Sequence, residues 1–163
     1  MEIMKGDLYN MMTAYEKLLV EACNKGYIVR ELDLVTRKGH CLDKRIAIDK
    51  NIATTVEKAC ILQEELNHGE YTIGNITDQT KIENIKQEQF ARAKTIETLC
   101  ALDKIVDAVK KNASTKDEII EMLSVTEELF NDAVKHYSRK CPKYSKDSIT
   151  LYFDNQLVIH KGF

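Results

Sequence analysis

The residues best equipped for chemistry in this 163-residue sequence stand together at Glu64-Glu65-Leu66-Asn67-His68. On a helix of about 3.6 residues per turn, Glu64 and His68 lie one turn apart on the same side, and Glu65 sits about 100° round from Glu64 at the flank of that pair. A carboxylate and an imidazole so placed can both ligate a metal ion. The opposite arc holds Val56, Ala59, Leu62 and Leu66, so core packing turns Glu64 and His68 away from the hydrophobic seam and toward a cleft. A catalytic zinc takes three protein ligands from His and carboxylate groups and keeps a position for water, so a third ligand is required. Glu88 is the candidate, because it lies beside the helical line Ile85, Arg92, Ile96 and Leu99, where solvation alone would not place a carboxylate. The residues alone leave plainer alternatives open: Glu and His four apart also occur on solvated helix faces, and Arg92 could hold Glu88 as an ordinary i,i+4 ion pair.

These side chains need elements to position them. Apolar residues at helical spacing from Leu8 to Asn24, followed by Gly26, predict a first helix. Tyr27 to Leu32, Cys41-Leu42 and Arg45 to Ile48 are rich in β-formers and are broken by Lys38-Gly39 and Asp43-Lys44, which predicts a small antiparallel sheet. Thr54-x-x-Glu57 reads as a capping box opening the motif helix, which Gly69 would end after His68. A polar loop with Gly74-Asn75 leads to Thr80-x-x-Glu83 and a long helix to about Leu102. Beyond it, Thr115-x-x-Glu118 and Ser124-x-x-Glu127 would open two of three short helices, and Ser148 to Phe153 with Gln156 to Ile159 predict a hairpin turning at Asp154-Asn155. The expected organisation is α+β, residues 1–102 carrying the site and residues 103–163 forming a helical region with a terminal hairpin, packed on the first part.

Composition narrows the function classes. Twenty-four basic against 26 acidic residues give a net charge of −2, so no overall basic field draws the chain to nucleic acid. The short helices from Ala113 to Arg139 resemble a helix-turn-helix weakly, but the segment is too acidic to encourage DNA binding. Five cysteines, odd in number and without a C-x-x-C pair, disfavour a disulfide framework or a thiolate zinc site. With no signal-like N-terminus and no apolar run long enough for a membrane span, the cytoplasm is the expected compartment. His40, His136 and His160 have no ligand-like spacing and read as surface or packing residues.

The words around the motif resemble the ImmA/IrrE family of metallopeptidases, found in phages and integrative elements. Lys58 to His68 resembles the family's metal-binding helix, Tyr71 to Asp78 the segment after it, and Lys86-Gln87-Glu88-Gln89-Phe90-Ala91-Arg92-Ala93 its third-ligand helix. The likeness extends upstream through Lys38-Gly39 to Asp49 and downstream to Tyr137. Glu64 stands where many members have His, and Asn67 where Gly is usual. The resemblance implies a zincin-like peptidase domain in which Glu64, His68 and Glu88 bind Zn²⁺, with Mn²⁺ also admitted, and Glu65 is the general base. It further implies a metalloendopeptidase whose substrate is a helix-turn-helix repressor of the same mobile element, with no direct contact to nucleic acid or membrane.

Two carboxylates put one more negative charge on the ion than a two-histidine site would, from which slow or partner-stimulated turnover is expected. His40, Tyr71 and Arg92 are chemically able to stabilise an oxyanion, and the sequence chooses none of them. The competing expectation is an antirepressor binding module of the same fold that captures the repressor without cutting it.

Overall fold

The computed structural model describes residues 9–71 and 82–162; the expected Gly74-Asn75 turn and Thr80 capping box lie outside them. The described residues form an α+β fold of six helices and two three-stranded sheets. The chain divides into two compact units, Met1–Arg92 and Ala93–Phe163, at a point inside a helix and ahead of the expected boundary at Leu102.

In the first unit, α1 (Ala14–Asn24) starts later than its apolar periodicity suggests. Thr13 interrupts the helix with a capping box of its own: its hydroxyl accepts the Glu16 N–H at 3.2 Å, and the Glu16 carboxylate accepts the Thr13 N–H at 2.7 Å. The apolar Met11 before this break is left 84% exposed, so periodicity there marked no buried face. At the other end Gly26 adopts φ +79°, its N–H bonding Cys23 O and the Tyr27 N–H bonding Ala22 O, both at 2.9 Å. This closure uses the left-handed conformation glycine adopts cheaply, and it sends Tyr27 into the core.

The strands β1 (Ile28–Leu32), β2 (Gly39–Leu42) and β3 (Arg45–Asp49) pair in the order β1-β3-β2. The sheet is mixed, not the antiparallel one expected: β2 and β3 form a hairpin, but β1 runs parallel to β3. Strand propensity carries no direction. The buried Ile46 and Ile48 place β3 in the centre, and the segment including β2 serves as the crossover that returns the chain alongside β1. On one face of this sheet, α1 and α2 (Thr55–Tyr71) close a core of Tyr15, Leu18, Ala22, Tyr27, Ile46, Ile48, Ala59, Leu62 and Leu66.

The Thr54 hydroxyl caps α2 by accepting the Glu57 N–H at 3.1 Å, while the Glu57 carboxylate pairs with Lys38 Nζ at 2.5 Å. Gly69 does not end this helix, which continues to Tyr71. In α3 (Ile82–Leu99) the buried positions are Asn84, Ala91, Thr95 and Ile96, whereas Ile85 is 37% exposed. The inward face is therefore not the expected line through Ile85 and Arg92, and Glu88 lies on the Asn84–Ala91 side of the helix at the spacing that brings it inward.

The second unit contains α4 (Leu102–Lys110), α5 (Lys116–Leu123), α6 (Glu127–Lys140) and a sheet of β4 (Lys143–Lys146), β5 (Ile149–Phe153) and β6 (Leu157–Lys161). Thr115 and Glu118 form the expected capping box. Ser124, expected to open the next helix, instead closes α5 in the left-handed conformation, φ 52°, and Thr126 caps α6 by accepting the Leu129 N–H at 3.2 Å. The expected hairpin is part of a three-stranded antiparallel meander. Its additional strand, Lys-Tyr-Ser-Lys, is too polar and short to announce itself and pairs through a turn in which Asp147 and Ser148 both have positive φ. No helix among the described residues is long and apolar enough to cross a membrane.

Candidate metal centre

Burial of Ala59, Leu62 and Leu66 fixes the rotation of α2 and leaves Glu64 and His68 half-buried on another side of the helix. At about 1.5–3 kcal/mol for each large aliphatic side chain, that burial outweighs any preference of the polar residues for another orientation. Glu88 comes from α3. One potential ligand atom from each of Glu64, His68 and Glu88 lies within 4.8 Å of the other two. His68 presents Nε2 to this group, 3.5 Å from Glu88 Oε1.

Two carboxylate oxygens and one imidazole nitrogen suit zinc or a harder divalent ion. Tetrahedral bonds of about 2.0–2.2 Å would space the ligand atoms by roughly 3.4 Å, so small side-chain rotations close the gap. Glu88 has that freedom, with 42% of its side chain exposed. The residues thus fit a metal ion, and the identity of the ion is not set by the geometry.

Arg92 Nη1 donates to Glu64 Oε2 at 2.7 Å, an ion pair between α3 and α2, and after His68 its charge helps to hold the Glu88 carboxyl low, as the sequence allowed. It also offsets the additional carboxylate charge, which weakens the expectation of a poor Lewis acid. Oxygen Oε1 of Glu64 remains available on the same carboxylate, and a ligating carboxylate braced by a second hydrogen bond is usual at metal sites.

Glu65 faces β2. Burial raises its carboxyl to about 7, with Glu64 and Glu88 adding to the rise, against the opposing influence of His68 and a hydrogen bond from the Cys41 backbone N–H. For His68, burial pulls the pKa down, but the contact with Glu88 and the charges of Glu88, Glu65 and Glu64 outweigh it and leave the ring above its ordinary value. Glu88 is held below the usual carboxylate range, first by His68. The centre thus holds one carboxyl pushed toward neutrality beside an imidazole whose pKa is raised and a carboxyl whose pKa is lowered.

Two glycines let the helix approach this closely. A Cβ on Gly39 would fall 2.6 Å from both Glu65 Oε1 and Ile61 Cγ2. A Cβ on Gly69 would fall 2.5 Å from the Tyr27 hydroxyl, 2.7 Å from Tyr27 Cε1 and 3.0 Å from Cys41 Sγ. Gly69 is thus a packing glycine within the helix. Asn67, at the position where glycine was expected, is itself buried, with Gln63 Nε2 3.4 Å from its Oδ1.

Of the residues considered as oxyanion donors, Arg92 is engaged by Glu64 and Tyr71 is 49% exposed, its ring edge-on to Phe90. His40 lies on β2 with Nδ1 3.1 Å from Arg37 Nη1, and burial, with the charges of Arg37 and His68, lowers its pKa. Arginine can only donate, so Nδ1 accepts and the neutral ring carries its hydrogen on Nε2. His136 and His160 lie elsewhere, against Glu97 and Tyr152. The roles of Gly39, Tyr27 and the Cys41 N–H were not legible from spacing, because strand residues meet the motif helix only through the fold. No family model matches this sequence, and neither a curated protein nor a solved structure matches it.

Proposed function

We propose that this protein is a zinc-dependent metalloendopeptidase of the ImmA/IrrE kind, its first unit a zincin-like domain, with Glu64, His68 and Glu88 as ligands and Glu65 as general base. The observation that carries this reading is the convergence of Glu64, His68 and Glu88 from two helices beside the half-buried Glu65, whose carboxyl desolvation pushes up to about 7. Zinc held there would supply a Lewis acid and a water that gives up its proton near neutral pH. Glu65, steered by the Cys41 N–H and by the space over Gly39, accepts that proton as the water attacks a peptide carbonyl, then delivers it to the departing amine. Arg92 keeps Glu64 oriented and balances its charge. The resemblance points to a helix-turn-helix repressor as the protein substrate and to the cytoplasm as its place of action.

One observation favours a second reading. The Arg92 guanidinium already neutralises Glu64, as it would in a metal-free antirepressor module that binds its repressor without cutting it. Elemental analysis of protein purified with zinc supplied separates the two. About one zinc per chain, lost in Glu64→Ala, His68→Ala and Glu88→Ala but kept in a cleavage-dead Glu65→Gln, is the expected result. Absence of zinc from the wild type would move the assignment to the binding module.

A further inference from the structure

The hydroxyl of Tyr27 is buried and, among the described residues, has no hydrogen-bond partner. The whole residue is 4% exposed. Leaving a buried hydroxyl unsatisfied is costly, and phenylalanine would fill the same space without that cost. Nor does the ring require the hydroxyl for packing, since it is already held between the core and Lys44, whose Nζ lies 3.8 Å from its centroid.

The location of the hydroxyl suggests its use. It rests where a side chain on Gly69 would be, 2.5 Å from that position, and Gly69 directly follows His68 in the chain. His68 turns Nε2 toward Glu88, 3.5 Å from its Oε1, which leaves Nδ1 as the other ring nitrogen, and Nδ1 is buried. A histidine that ligates a metal through one nitrogen almost always donates the N–H of the other to an oxygen of the protein or to water, which fixes the tautomer and the ring orientation.

We infer that Tyr27 is a positioning residue for the metal centre, its hydroxyl oxygen accepting the Nδ1–H of His68 when Nε2 serves as ligand, and that Gly69 lacks a side chain to leave that hydroxyl its place. The inference rests on the zinc site proposed above. It explains together an orphaned hydroxyl, a glycine in the last turn of α2 that does not end the helix, and the closure at Gly26 that delivers Tyr27 to the core.

The test is Tyr27→Phe in the full chain, with Zn²⁺ alone as the probe, its affinity measured by competition with a chelating dye and the stability of the metal-free protein measured by urea unfolding. Loss of a tuning partner of a ligand lowers metal affinity about 10- to 100-fold. The expected result is a fall of that size with metal-free stability unchanged or raised, a combination that a purely structural tyrosine would not produce. Gly69→Ala should weaken zinc as well, and Gly69→Ala combined with Tyr27→Leu should recover folding stability but not affinity. Unchanged zinc affinity in Tyr27→Phe overturns the inference while the zinc site stands. A wild type that binds no zinc removes both.

Discussion

Glu65 and His68 give the metal-free protein a pH dependence whose sign follows from their surroundings. Folding raises the Glu65 carboxyl from its ordinary 4.5 to about 7, so the folded state holds this proton more tightly than the unfolded chain. That stabilisation is complete below about pH 4.5 and is lost as pH rises through about 7. His68 is raised too, so its contribution is present below its ordinary value and is lost as pH rises through its folded value, in the same direction. Glu88, held low, has the opposite sign, but its stabilisation is lost only as pH falls into the carboxylate range. Between pH 5.5 and 8 the metal-free protein should therefore lose stability on the order of 2 kcal/mol, measured as a falling urea midpoint. A midpoint that rises over this range would contradict the environment described for Glu65, and Glu65→Gln should flatten most of the slope.

The pairing of α2 with β2 sets the surroundings of Glu65 beside the Glu64, His68 and Glu88 group. The aliphatic core holds the helix on the sheet, and Gly39 sets how closely Glu65 can approach the strand. Gly39→Ala would force a Cβ to within 2.6 Å of Glu65 Oε1 and Ile61 Cγ2, so strand or helix must shift. Overpacking of this kind costs about 1–3 kcal/mol. The atoms nearest that Cβ belong to Glu65 and Ile61 and to none of the three proposed ligands, so the variant should bind zinc nearly as the wild type does and lose cleavage through kcat more than through KM. Equal loss of zinc and activity would instead mean that Gly39 supports the whole helix.

At the level of the molecule, Glu64, Glu65, His68, Glu88 and Arg92 all belong to the unit Met1–Arg92. Zinc at about 100 times its dissociation constant should stabilise that unit by about 2.7 kcal/mol through mass action. Hydrogen exchange with and without Zn²⁺ should show slower exchange in α2, β2 and β3, while α6 and β5 of the second unit keep their rates. Protection spread evenly over both units would show that they open together. The five cysteines are all free, two of them buried, two half-buried and Cys23 exposed, so a reducing medium is the suitable one for these measurements.

The motif helix, its apolar seam and the placement of Glu64 and His68 on one side of it were legible in the sequence because a helix repeats its own geometry, and i,i+4 spacing places side chains without reference to the rest of the chain. Glu88, on another helix, joins them only through the fold and on a different face from the expected line. The capping box at Thr115 was equally local. Ser124 and Gly69 show the limit of local patterns. The same Ser-x-x-Glu spacing can close one helix or open the next, and a glycine after a histidine can end a helix or clear space for a tyrosine 42 positions earlier (69 − 27). Only the tertiary structure decided that β1 lies parallel to β3, that Arg92 reaches Glu64, and that Gly39, the Cys41 N–H and Tyr27 gather around the motif. These depend on which segments the shared core brings side by side, and burial energy is indifferent to the sequence separation of the residues it joins.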